Sequence, residues 1–164
     1  MSEASFLSGV SLPELGVGAG YAIFSWRACS RGAVNCCAVR RTFANTFGSD
    51  GPAARQCIDA FANMLGSGGR RPVTLAMPGT PRVTADEMSF VAALAAAQSG
   101  QTEKLEAHLT WLFAGGYPAE AFEAVTRAAS IFYQHGVWVD EPNMDAPAHC
   151  APPRTAPVSY SGSA

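Results

Sequence analysis

The segment TADEMSFVAALAAAQ, residues 84–98, restricts the fold more than any other part of the chain. Thr84 and Glu87 have the spacing of a capping box, in which a hydroxyl accepts the amide three residues on and a glutamate there reaches back to the cap amide. A helix therefore starts at Thr84. After Glu87 it carries no further charge, and Met88, Phe90, Val91 and Leu94 point around more than one face. A helix apolar on nearly every side lies either at the centre of a domain or at an interface with another molecule. The sequence leaves both open.

Other helices are readable by period. GYAIFSWRACS, residues 20–30, forms a short helix with Tyr21, Phe24 and Ala28 on one side, weakened at its start by Gly16, Gly18 and Gly20 at up to about 1 kcal/mol each. Residues 34–47 repeat apolar side chains at Cys36, Val39, Phe43 and Phe47. A restart at SDGP, with Pro52 in the first turn, leads through Ala54, Ile58, Phe61 and Leu65. Two more helices cover 101–114 and 118–135, with Leu105, Leu109 and Leu112 on the first and Phe122, Val125, Ala129, Phe132 and Tyr133 on the second. Short links between the last helices favour antiparallel neighbours. Residues 70–83 resist a helical reading: Val73-Thr74-Leu75 suits a short extended piece, and MPGTP is a turn.

The expected architecture is all-α: one compact helical bundle of five or six helices over 16–139, crossed by the extended connector. An N-terminal arm, 1–15, precedes it, and a Pro/Ser/Ala-rich C-terminal tail, 140–164, follows. The core is expected to hold Phe43, Phe47, Ile58, Phe61, Leu65, Val91, Leu94, Leu109, Leu112, Phe122, Val125 and Phe132.

Composition narrows the function. Apolar residues make up 48% and charged residues 15%, against roughly 25% charged in an ordinary soluble domain. That excludes a fully disordered chain and favours a protein partner. The net charge of -2 argues against a generally basic nucleic-acid binder. The apolar run at 15–26 spans 12 residues, well short of the about 20 that cross a bilayer. No positively charged leader or A-x-A-like cleavage site is present, so a cytoplasmic, non-membrane protein is expected.

Candidate chemistry is sparse. Cys29, Cys36, Cys37 and Cys57 cluster in sequence, but Cys29 and Cys36 are too far apart for one C-x₂₋₄-C bite on a metal. They are expected to be free thiols with no metal and no cofactor; a cysteine-ligated metal or iron–sulfur site is the alternative. His108 reads as a core-edge residue, His135 as a charge at a helix carboxyl end, and His149 with Cys150 as a weak metal pair in the tail. Residues 66–71, GSGGRR, lack the lysine and hydroxyl of a phosphate loop. Arg40, Arg41, Arg55, Arg70 and Arg71 could converge into a basic patch for nucleic acid, a role not expected without exposed stacking aromatics. Asp86-Glu87 is explained by the helix start, and Glu103 with Glu106 by a solvated face.

The reading that accommodates these features is a non-enzymatic helical interaction or regulatory module, a homo-oligomer or a small subunit of an assembly. Its interface candidates are Phe90, Ile131, Trp138 and Tyr160, because large aromatic and aliphatic groups contribute most at an interface centre. A small enzyme of unrecognised class is the remaining alternative.

Overall fold

The computed structural model describes residues 7–144, and within that range Thr84 makes the transition that the sequence predicts. Its Oγ1 accepts the Glu87 amide at 3.1 Å and a Glu87 carboxylate oxygen accepts the Thr84 amide at 2.9 Å. From that cap runs a helix over Ala85–Gln98, buried on every side from Asp86 to Ala96.

In chain order the elements are strand β1 (Leu7–Ser11), a 3-10 turn over Leu12–Leu15, and helix α1 (Gly16–Ser30). After a second 3-10 turn come α2 (Cys37–Phe47) and α3 (Gly51–Gly68), then β2 (Arg82–Thr84), α4 (Ala85–Gln98), α5 (Thr102–Phe113) and α6 (Ala119–Gln134). The result is a mostly helical bundle. Helices α1, α5 and α6 pack on α4, while α3 packs on α1, α2 and α6. The central alternative for α4 is thus the one realised: its apolar girth is consumed within a single chain.

Phe90 therefore does not face a partner. It is 1% exposed, with its ring 4.7 Å from Trp26 and 5.1 Å from Phe61. Ile131 is also buried rather than outward, because α6 packs against both α3 and α4 and so loses two faces to the interior. Of the expected core, Phe122 alone is only partly buried; the other eleven residues lie inside.

The amino-terminal segment departs from a simple arm. β1 pairs antiparallel with β2, Leu7 opposite Thr84 and Ser11 opposite Arg82, and Leu12 donates its amide to the Pro81 carbonyl at 2.7 Å. An all-helical description is amended by this two-stranded ribbon. A short ribbon of this kind persists by lying on helices, and Val83 is fully buried beneath it. Residues 73–75, the better strand by composition, have no strand partner among the described residues.

Helix α1 begins at Gly16, earlier than its glycines suggest. Gly18 explains why: a Cβ there would fall 1.8 Å from the Trp138 carbonyl oxygen. Close passage of 137–139 over α1 requires a bare backbone, and the packing offsets the weak helix propensity. Gln98 at the end of α4 holds the same segment, donating to the Val137 carbonyl at 3.0 Å and accepting the Val139 amide at 2.9 Å. Residues 145–164, including most of the expected tail, and residues 1–6 lie outside the described range.

Candidate interaction surfaces

The polar groups nearest the centre form a fastener between α1, α4 and the connector. Arg27, 3% exposed, spends all five of its N–H donors: on both Glu87 oxygens at 2.6 and 2.9 Å, and on the carbonyls of Thr80, Met77 and Arg82. Glu87 is equally saturated, since the Ala76 amide at 3.1 Å and the Thr84 amide at 2.9 Å fill its remaining acceptor positions. Beside it Asp86 takes a forked pair of bonds from Arg71, at 2.6 and 3.1 Å, and the Thr74 amide at 2.9 Å. The bond to Asp86 holds the Arg71 guanidinium pKa above its usual value, and the same group lies 5.1 Å over the Trp111 ring. Among the described residues no buried side-chain nitrogen or oxygen is left without a partner. Two adjacent carboxylates could suggest acid–base chemistry, but Glu87 has its four acceptor positions filled and Asp86 is tied to Arg71 and the Thr74 amide by three bonds. Their work is to hold an irregular connector in one path.

A cleft of about 970 Å³ opens between the end of α1, the second half of α3 and residues 69–75. Trp26, Leu65, Val73 and Leu75 contribute apolar surface; Asp59, Asn63 and Arg70 contribute polar groups. Cys29 also lines it, but burial pushes that thiol up to about 12, so it holds its proton at neutral pH.

The cysteines do not come together as a ligand set. Cys29 and Cys57 are buried with the core, whereas Cys36 and Cys37 are exposed at the start of α2. Among the described residues no three His, Cys, Asp or Glu side chains are arranged to hold a metal ion, which counts against the metal alternative. The thiols differ in reactivity instead. The backbone amides of Ala38 and Val39 lower the Cys36 pKa, while burial raises that of Cys57. At neutral pH iodoacetamide is expected to alkylate Cys36 and Cys37 in the native chain. Cys29 and Cys57 should react about a thousandfold or more slowly, through opening of the fold. Peptide mass spectrometry against time checks this, and Cys29 alkylated as fast as Cys36 would contradict it.

The arginines are likewise divided. Arg40, Arg41 and Arg55 border one groove between α2 and α3, together with Cys37. Arg70 and Arg71 border the other cleft, and Arg71 is committed to Asp86. Arg55 is committed as well, donating to the Val34 carbonyl at 2.7 Å and to the Asn35 side chain at 2.8 Å. His135 meets Asp50 at 2.8 Å and the edge of Phe47, so it bridges the end of α6 to the start of α3. His108 is half-buried on α5, where burial lowers its pKa.

Exposed apolar surface gathers elsewhere. On α1, Val17 and Phe24 are 77% and 42% exposed, with Tyr21 and Ala28 half-buried beside them. This is the side that sequence periodicity singles out, but it points to solvent, and Ala19, Ala22, Ile23 and Trp26 face the core. No family model, curated protein or solved structure matches the chain. The surface must therefore be interpreted on its own chemistry. Trp138, an expected interface residue, is 61% exposed and packs edge-on against Tyr133 at 4.7 Å; its carbonyl rests on Gly18 of α1. Tyr160, His149 and Cys150 lie outside the described residues. The signal that sequence reading missed is the charge distribution along α1: its one charged residue, Arg27, is the buried one.

Proposed function

We propose that this chain is a non-enzymatic helical interaction module that associates with a second copy of itself through the outer face of α1. The observation carrying this reading is a surface helix of 15 residues whose solvent side bears no charge at all. Val17, Tyr21, Phe24 and Ala28 recur at helical spacing on it, with Gly20 between them. An isologous contact places the same patch against itself, and an uncharged patch does so without like-charge repulsion. In antiparallel apposition, the register that sets Val17 against Ala28 of the second copy also sets Phe24 against its Tyr21. Trp138, exposed on the segment that crosses α1 at Gly18, is an aromatic of the kind that dominates interface energies. The saturation of Arg27 and Glu87, and the commitment of Asp86 to Arg71 and the Thr74 amide, support a non-enzymatic role. Free thiols at all four described cysteines suit a reducing cytoplasm, and among the described residues no helix is long and apolar enough to cross a membrane.

Sedimentation velocity of the full chain at micromolar concentration is expected to show a dimer. Phe24→Asp should yield a monomer whose unfolding free energy lies within about 0.5 kcal/mol of the parent, as for other exposed sites. A parent chain that sediments as a strict monomer would overturn this reading.

A further inference from the structure

Residues 72–77 run as neither helix nor strand between the clasp made by Arg27, Asp86 and Glu87 and the cleft, and their hydrogen bonds alternate. The Thr74 amide goes to Asp86 and its carbonyl accepts the Thr84 hydroxyl at 2.7 Å; the Ala76 amide goes to Glu87. In an extended chain the N–H and C=O of alternate residues point to opposite edges. The opposite edge belongs to Val73 and Leu75, which line the cleft, and among the described residues neither backbone N–H nor C=O of these two has a partner. One edge of this segment is thus fixed by buried carboxylates, while the other presents two donors and two acceptors to open space.

We propose that the cleft binds an extended peptide segment of a partner protein, which adds as a strand to the Val73–Leu75 edge. Strand addition draws its affinity from main-chain bonds and its selectivity from pockets for alternate side chains. The apolar surface beside this edge comes from the half-buried Val34, Ala62, Val73 and Leu75, so the peptide's inward side chains are apolar. The rim carries Asp59 and Arg70, neither of which has an ion-pair partner among the described residues; charge complementarity calls for a basic residue near the first and an acidic one near the second. The segment is preorganised: clasped by Asp86 and Glu87, it has little ordering left to do when a peptide arrives. This site is separate from the α1 face, and its test does not depend on self-association.

The test starts from a phage-displayed library of random twelve-residue peptides selected on the full-length chain, followed by amide hydrogen exchange read by nuclear magnetic resonance. In the free chain Val73 and Leu75 amides are expected to exchange much faster than those of Thr74 and Ala76; a selected peptide should slow Val73 and Leu75 at least tenfold. Leu75→Pro removes one cleft-facing donor but neither clasp bond, and should weaken the selected peptide at least tenfold with the clasp amides still protected. Protection of Val73 and Leu75 already in the free chain would overturn the proposal in favour of an occupant from the chain's own ends. Failure to select any peptide, or selected peptides that leave these two amides unchanged, would overturn it outright.

Discussion

Glu87→Ala is expected to destabilise the fold by about 3–5 kcal/mol, a large share of the about 5–15 kcal/mol typical of a domain. The reason is what it leaves behind. Arg27 remains buried, and two of its five donors lose a charged acceptor at once. The amides of Ala76 and Thr84 lose theirs as well, and α4 loses half of its capping box. Urea unfolding followed by circular dichroism measures the loss. Replacing both members of the pair, Arg27→Met with Glu87→Met, should recover part of it, because an apolar pair no longer carries an uncompensated charge. A single-variant loss below about 1 kcal/mol would mean that the pair is hydrated and not buried.

Phe61→Ala is expected to cost about 3–5 kcal/mol. Phe61 is the junction of the aromatic core: its ring lies 5.9 Å from Trp26, 5.1 Å from Phe90 and 6.1 Å from Phe113, and so joins α1, α4 and α5 to α3. Truncation leaves a cavity that none of these rings can fill without leaving its own contacts. The expected signature is a lower urea midpoint with unchanged slope, accompanied by a reduced near-ultraviolet signal from Trp26. A loss under about 1 kcal/mol would place Phe61 at a surface.

Much of this core is legible from the chain because helix period, caps and glycine stops are local properties. Thr84 and Glu87 announce α4 within four residues, and Phe43, Phe47, Ile58 and Phe61 follow from spacing alone. What cannot be read this way depends on distant partners. Glu87 satisfies the capping pattern completely, so nothing local reveals its second bond to Arg27, which lies 60 residues away. β2 has three residues next to Pro81, too little for a period, and becomes a strand because β1 reaches it. On α1 both faces are apolar, and periodicity cannot distinguish a stripe facing Trp26's neighbours from one facing solvent. Ile131 fails for a related reason: α6 is covered by both α3 and α4, so a residue away from its main apolar stripe is still inside.

The clasp also bears on the order in which the molecule assembles. Contacts of α4 with α5, and of α2 with α3, join segments adjacent in the chain, whereas Arg27 and Glu87 can meet only after a loop of 60 residues has closed. Loop closure carries an entropic cost that must be met before the distant contact repays it. Helical pairs adjacent in the chain are therefore expected to form before the long-range contacts, which include α3 against α6 as well as the docking of α1 that brings Arg27 to its carboxylate. Until α1 docks, Glu87 lacks its guanidinium partner, and α1 is the latch that supplies it.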